Sequence, residues 1–183
     1  MAAAPAEVIR PLRRVEYDRL VALGVFQDER VELLDGTIYA MSPIGIPHSF
    51  AVQELNELLV LALHGRAKVR PQMSYAASEL SEPEPDLMVT PLVSWDKEQA
   101  NQAHLIVEVA ESSLAYDRGR KLRLYARCGV PEYWIVNLPE RCIEVYTVPE
   151  GNGYAQIVRY EPGQTIRLGA FSDVEVRVSD LMR

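Results

Sequence analysis

The chain has 183 residues, of which 48% are hydrophobic and 25% are charged. This length and composition are ordinary for a single globular domain, so we expect residues 1–183 to form one domain with a loosely ordered N-terminal arm over 1–12. The formal net charge of -7 excludes broad, non-specific binding to nucleic acid, because phosphate contacts need Lys and Arg. Any such binding must rest on a local basic patch or on bound cations.

The cysteines and the N-terminal segment indicate the cellular compartment in which we expect the protein. Cys128 and Cys142 are too far apart for a C-x-x-C motif, and two cysteines do not make a disulfide framework. The first residues lack a basic region followed by an apolar one, and no apolar stretch approaches the ~20 residues that cross a bilayer. We therefore expect a cytoplasmic protein without a membrane partner.

Hydrophobic periodicity divides the first half of the chain into helices, a hairpin and short strands. Apolar residues recur at helical spacing in two segments, and two β-prone runs meet at Asp35-Gly36, which favours a tight turn. The predicted helices cover 13–24 and 50–64, the predicted hairpin covers 30–41, and the predicted strands cover 67–76 and 86–90.

The second half alternates one buried strand, one helix and several shorter strands. Gly129-Val-Pro131 is a helix stop, and it follows a segment with helical spacing. This pattern predicts an α/β domain with a central mixed sheet flanked by helices and with extra C-terminal β-hairpins. The predicted strands are 104–110, 132–137, 142–146, 154–158 and 165–168, and the predicted helix is 114–128.

A carboxylate interrupts the most apolar strand of the chain. Glu108 lies inside Leu105-Ile-Val-Glu-Val, and a carboxylate there is costly to bury unless it is paired or bound to a metal. Asp86 begins the preceding strand. Because Mg²⁺ prefers carboxylate and carbonyl oxygens, the sequence predicts a magnesium site at Asp86 and Glu108, with the Val109 carbonyl as a further ligand and Mn²⁺ as a substitute. A turn role for Asp86 and an ion pair between Glu108 and an arginine are the alternatives.

The predicted helix that follows places charged groups on one face. Asp117, Lys121 and Tyr125 recur at positions i, i+4 and i+8. The ammonium of Lys121 would hold a water or stabilise negative charge on a phosphate, whereas a solvated lysine is the alternative. Arg120 and Arg123 belong to an adjacent basic stripe, which predicts contacts with substrate phosphates.

Three further polar residues are weaker candidates. Glu32 alternates with apolar neighbours in the predicted hairpin, where a half-exposed acid is the alternative. His48 stands at a helix entrance, where packing or capping is the alternative to a supporting role in the site. Gln72 lies in a predicted strand near the proposed site and is a candidate substrate contact.

The order of these motifs resembles a known family. Pro85-Asp86, Glu108-Val109, Lys121 with Tyr125, and the run from Gly129 to Asn137 (Gly-Val-Pro-Glu-Tyr-Trp-Ile-Val-Asn) resemble the Uma family of restriction-type endonucleases, in the PD-(D/E)xK nuclease superfamily. The resemblance spans nearly the whole chain. It implies a restriction-endonuclease-like core, Mg²⁺ at Asp86 and Glu108, and a supporting acid at Glu32. It also implies a catalytic lysine that has moved to the helix, since the superfamily's usual lysine position holds Ala110.

We therefore expect a Mg²⁺-dependent endonuclease that hydrolyses phosphodiester bonds, with DNA as the substrate. A homodimer is expected, because a C₂ pair suits the cutting of both strands of a duplex. The alternative is a non-catalytic interaction module that keeps the nuclease fold, which the acidic composition and the displaced lysine favour. A glycosidase with a carboxylate pair is a third interpretation, but it leaves Lys121 and the arginine stripe without a role.

Overall fold

A computed structural model describes residues 10–93 and 99–182 of the chain. The predicted N-terminal arm lies outside the described residues except for 10–12. No helix in these ranges is long and apolar enough to cross a membrane. The first elements are α1 (Arg14–Ala22), β1 (Val31–Leu34), β2 (Thr37–Ala40), α2 (Ile46–Ala62), β3 (Ala67–Pro71), β4 (Leu87–Pro91) and β5 (Leu105–Ala110).

One helical segment follows β5 and is interrupted by a π-helical turn. It consists of α3 (Leu114–Tyr116), the π turn (Asp117–Lys121) and α4 (Leu122–Arg127). The remaining elements are β6 (Glu132–Asn137), β7 (Cys142–Glu150), β8 (Gly153–Tyr160), β9 (Thr165–Arg167), β10 (Glu175–Arg177) and a 3₁₀ turn (Val178–Leu181).

A six-stranded sheet in the order β3-β4-β5-β6-β7-β8 forms the centre of the fold. Strands β5 and β6 are parallel, and the other neighbours are antiparallel. A parallel pair needs a crossover connection, which the helical segment from α3 to α4 provides. Hairpins β1-β2 and β9-β10 lie outside this sheet. The predicted α/β fold with a mixed central sheet, flanking helices and extra hairpins is confirmed.

Side-chain alternation along β5 separates two hydrophobic cores. Val107 and Val109 pack with α2, whereas Ile106 and Ala110 belong to the cluster that contains residues of α4. Because successive side chains of a strand point to opposite faces, Glu108 is directed to the face that α4 covers. The helical segment after β5 is therefore the element able to reach Glu108.

Most predicted elements are present, with informative differences at their ends. The strand predicted at 67–76 ends at Pro71, because Gln72 adopts a left-handed backbone conformation (φ 47°) that leaves the extended path. The helix predicted at 50–64 begins earlier, at Ile46, because Pro47 suits the first turn of a helix. Neither the π turn nor β10 was predicted.

Candidate active site

A cavity of about 360 Å³ lies where the end of β5 meets the β1-β2 hairpin, the start of α2 and the π turn. Because β4 and β5 are antiparallel, the end of β5 and the residue that precedes β4 both border the cavity. Most of the predicted site residues line it: Glu32, His48, Asp86, Glu108, Val109, Asp117 and Lys121.

Asp86 lies immediately before β4 and is held from two sides. Its Oδ2 accepts a hydrogen bond from the Val109 backbone N–H (2.8 Å) and lies 3.0 Å from His48 Nε2. His48 therefore connects the first turn of α2 to this carboxylate. The His48 Nδ1 atom is buried and has no partner among the described residues. These contacts fix the orientation of the Asp86 side chain at the floor of the cavity.

Glu108 is almost completely buried, with 3% of its surface exposed. Its Oε1 accepts hydrogen bonds from Lys121 Nζ (3.0 Å) and from the Tyr125 hydroxyl (2.6 Å). Burial raises the pKa of Glu108 well above its ordinary value; Lys121 opposes this shift, and the carboxylate of Asp86 adds to it. The partner of Glu108 is thus a lysine and not the arginine of the alternative interpretation.

Lys121 is buried among carboxylates. Its Nζ lies 3.0 Å from Glu108 Oε1 and 3.3 Å from Glu32 Oε2. Burial alone lowers the pKa of Lys121, but Glu108, Glu32 and Asp117 outweigh it and raise the pKa above its ordinary value. The side chain is therefore a fixed ammonium ion inside the protein and not a solvated lysine on a helix surface.

Glu32 forms the second ion pair of Lys121 and also accepts hydrogen bonds from two other groups. Its Oε1 accepts a hydrogen bond from the Tyr116 hydroxyl, and its Oε2 accepts one from the Glu84 backbone N–H, both at 3.2 Å. The side chain is buried, so it is not the half-exposed hairpin acid of the alternative interpretation. Glu32 thereby connects the β1-β2 hairpin to the π turn.

Asp117 opens the π turn and points inward. Its Oδ2 accepts a hydrogen bond from the Ser113 hydroxyl (2.6 Å), and its backbone carbonyl accepts one from the Tyr133 hydroxyl (3.3 Å). Burial raises the pKa of Asp117 to about 6, against the opposing effects of Lys121 and Ser113. π turns within helices occur frequently at functional sites.

The charges and donor atoms of the cavity fit a hard divalent cation. Four acids, Glu32, Asp86, Glu108 and Asp117, line the cavity together with one ammonium group, so a bound cation would relieve the repulsion among their carboxylates. Asp86 Oδ1 and Glu108 Oε2 accept no hydrogen bond from any described residue, so each carboxylate keeps one oxygen for a ligand. Mg²⁺ is typically held by one or two carboxylates together with several waters.

The backbone of Val109 offers a further oxygen on the same side. Its N–H points to Asp86, and the N–H and C=O of one strand residue point to the same edge. The pairing of β4 with β5 ends at Leu87 and Val107, so β4 does not occupy this carbonyl. Within residues 10–93 and 99–182, however, no group of three or more His, Cys, Asp or Glu side chains is arranged to hold a metal ion. Any cation here would need the main chain and water as ligands.

The predicted substrate contacts lie outside the residues that line the cavity. The guanidinium of Arg120 lies over the Tyr39 ring (4.9 Å to the centroid) and 3.6 Å from Asp35. Arg123 is exposed on the surface of α4. Gln72 is also exposed, and its backbone N–H donates to the carbonyl of Asp86 (3.1 Å).

The lining residues that sequence reasoning missed include Arg30, Tyr39 and Tyr116. Tyr39 pairs directly with Glu32 across the hairpin, so strand alternation applied to both arms could have placed it on the side of Glu32. No local signal marks Arg30 or Tyr116, because their positions depend on how the hairpin packs against the π turn.

Comparison with known proteins assigns the family. Residues 14–179 match the Uma2 family, described as putative restriction endonuclease. The chain belongs to the Uma2 family. A crystal structure of a putative nuclease belonging to DUF820 from Anabaena variabilis ATCC 29413 is similar, with a TM-score of 0.72 and 17% identity over 93% of this chain and 97% of that one. At this identity the likeness establishes the fold. No curated protein matches the sequence significantly.

The family and the fold together support a nuclease that acts on nucleic acid. The resemblance seen in the sequence motifs is therefore confirmed at the level of the family. Its coverage also agrees, since the Uma2 match includes both the hairpin that carries Glu32 and the helical segment that carries Lys121.

Proposed function

We propose that this Uma2 protein is a divalent-metal-dependent endonuclease that hydrolyses phosphodiester bonds in DNA. The observation that carries the proposal is the meeting of Asp86, Glu108 and Lys121 in one cavity, although they come from three different elements. Two carboxylates and an ammonium group are the side chains that metal-assisted phosphodiester hydrolysis requires.

Asp86, Glu108 and the carbonyl of Val109 would hold Mg²⁺, with Mn²⁺ as a substitute. When bound, the cation would neutralise charge on the phosphate and supply a water that is nucleophilic near neutral pH. His48 holds Asp86, and Tyr125 holds Glu108, each through a hydrogen-bond contact to the carboxylate. Such contacts pre-orient a carboxylate, so neither side chain must reorganise when substrate enters.

Lys121 would stabilise negative charge that builds on the phosphate. The contacts with Glu32 and Glu108 hold its side chain, and the charges of Glu108, Glu32 and Asp117 favour its protonated form. A buried, pre-oriented cation stabilises developing charge better than a solvated one, because no solvent must reorganise. The predicted contacts Arg120, Arg123 and Gln72 would meet the nucleic acid outside the cavity.

The test is cleavage of plasmid DNA in Mg²⁺ or Mn²⁺ by the wild type and by Glu108→Gln. We expect Glu108→Gln to lose activity by a factor on the order of 100 or more, because it removes an essential charge while keeping the side-chain shape. The control is Glu161→Gln, which changes an exposed acid at the far edge of the sheet. Equal activity of the wild type and Glu108→Gln would contradict the role of Glu108.

A non-catalytic interaction module that keeps the nuclease fold is the second candidate. It is favoured by the ion pairs that already neutralise Lys121 and by the lack of a three-residue metal cluster among the described residues. Titration calorimetry with Mg²⁺ separates the two candidates. Absence of binding, or binding that Asp86→Asn leaves unchanged, favours the non-catalytic module.

We also propose a homodimer, because two cavities related by a two-fold axis can address both strands of DNA. Light scattering of the purified protein measures this directly. A molar mass equal to that of one chain at working concentration would contradict the dimer and leave the proposed chemistry unaffected.

A further inference from the structure

We propose that the cavity accepts an unpaired nucleotide, whose base packs on a wall formed by Tyr39, Met41 and Ile44 and whose phosphate is contacted by Arg30. This inference rests on the proposed nuclease function and names its substrate class. That class is DNA that is single-stranded, or locally unpaired, at the bond to be cleaved.

The first argument is the depth of the carboxylates. Glu108 and Asp86 line the cavity but expose only 3% and 9% of their surfaces. The phosphate to be cleaved must therefore enter the cavity to reach them, and a flexible single strand bends into such a space at less cost than a stiff duplex. A volume of about 360 Å³ is within the usual range of small-molecule pockets.

The second argument is the chemistry of the cavity wall around Tyr39. Tyr39 and Tyr116 both line the cavity, and their ring centroids lie 5.8 Å apart. The guanidinium of Arg120 covers one face of the Tyr39 ring, so a base would pack against the other face. Ile44 lines the cavity and is 40% exposed, although solvent exposure of a large apolar side chain is unfavourable. Aromatic rings combined with arginine are what proteins use to stack unpaired bases.

The third argument is the distribution of positive charge. Lys121 and Arg30 both line the cavity, but Lys121 is buried beside Glu108, whereas 42% of the Arg30 side chain is exposed. Arg30 forms an ion pair with the partly exposed Glu84 (2.8 Å), and a phosphate can displace a surface ion pair of this kind. Arg30 is therefore suited to bind a phosphate that enters the cavity.

The composition of the chain disfavours a long duplex footprint. A duplex backbone needs an array of free Lys and Arg, and the chain is acidic overall, with 19 Lys and Arg against 26 Asp and Glu.

The test is fluorescence anisotropy with labelled oligothymidine and with a duplex of equal length, in Ca²⁺. We expect the wild type to bind the single strand about 10-fold more tightly than the duplex. Tyr39→Ala should weaken single-strand binding by a factor on the order of 10, because one stacking contact is lost, whereas Tyr39→Phe should bind like the wild type. Arg30→Ala should also weaken binding, with a smaller dependence on salt.

A matched pair of isoleucines provides the control for non-specific effects. Ile44 lies at the cavity, whereas Ile157 is 63% exposed on β8, the strand at the far edge of the sheet. Ile44→Ala should weaken single-strand binding, and Ile157→Ala should not. Thermal melting of each variant establishes that the fold is retained.

Two outcomes would overturn the proposal: equal affinity for single strand and duplex, or single-strand binding that Tyr39→Ala and Ile44→Ala leave unchanged. Cleavage separates this failure from failure of the nuclease function. If the wild type cuts duplex and single strand equally, the nuclease function stands and the unpaired-nucleotide site is refuted. If Tyr39 supports single-strand binding but no substrate is cut, the site stands and the nuclease function is refuted.

Discussion

Replacing Lys121 with methionine tests the electrostatic structure of the site without reference to activity. Methionine is similar in length, so Lys121→Met removes charge without opening a large cavity. In the variant, Glu108 and Glu32 lose a partner that lies 3.0 Å and 3.3 Å away, and each of these acids exposes only 3% of its surface. The substitution therefore leaves buried carboxylates without compensating charge.

The expected magnitude follows from this geometry. Removing one partner of a buried ion pair costs ~3–5 kcal/mol, because the remaining charge is desolvated and unpaired. Glu108 can relieve part of this by binding a proton, since burial already raises its pKa. We therefore expect a loss of unfolding free energy of about 3 kcal/mol. At ~2–4 °C per kcal/mol for a protein of this size, the melting temperature should fall by about 6–12 °C.

Urea unfolding at neutral pH measures the loss, and Lys68→Met is the control. Lys68 is exposed on β3, so its replacement should change stability by less than ~0.5 kcal/mol. The double variant Lys121→Met with Glu108→Gln should recover part of the loss, because the unpaired carboxylate is gone. A loss for Lys121→Met no larger than that for Lys68→Met would refute the reasoning.

Three further predictions concern stability. Tyr125→Phe removes the 2.6 Å hydrogen bond to Glu108 and should cost ~1.5–3 kcal/mol in urea unfolding; no loss would contradict that bond. Burial and Asp18 raise the pKa of Glu82 to about 7 from an ordinary 4.5, so the folded state holds this proton more tightly than the unfolded state. As the pH rises from 4.5 to about 7, the unfolding free energy of the wild type should fall by up to about 3 kcal/mol relative to that of Glu82→Gln. Parallel pH profiles of stability for the two proteins would refute this. A Cβ atom at position 119 would have no neighbour within 4 Å, so Gly119→Ala should stabilise the fold by ~0.4–1 kcal/mol because it restricts the unfolded chain. Thermal melting measures this gain, and a loss of stability would indicate strain in the π turn.

The sheet was largely predictable because its strands are marked by local pattern. The run around Glu108 is apolar on both sides, which is typical of a central strand covered on two faces, and β5 is such a strand. Strand ends were less predictable. The left-handed backbone conformation of Gln72 ends the pairing of β3, and glutamine is not a residue type that predicts this conformation. Strand β10 has only three residues, too few to show a period.

The buried charges of the site were predictable for a physical reason. A carboxylate inside an apolar strand needs a partner, so the sequence around Glu108 is sufficient to predict one. In the structure that partner is Lys121. Contacts made by packing between distant segments were not predictable. The basic stripe in the sequence marks Arg120, but it does not indicate that Asp35 of the hairpin turn and the Tyr39 ring contact this side chain.

The π turn explains how a lysine of the helical segment reaches the carboxylate of Glu108 on β5. In a regular α-helix, side chains four residues apart drift by ~40° per step, so Asp117, Lys121 and Tyr125 would spread over about 80°. A wider turn from Asp117 to Lys121 reduces this drift, and all three side chains are buried. On the strand itself, Ala110 lies two residues after Glu108 and is fully buried in the same cluster as Tyr125 and Tyr133, which leaves no space for a lysine there. The position of Lys121 on the helix and the π turn therefore belong to one arrangement, in which the aromatic core occupies the face of the strand and the widened helix turn supplies the charge.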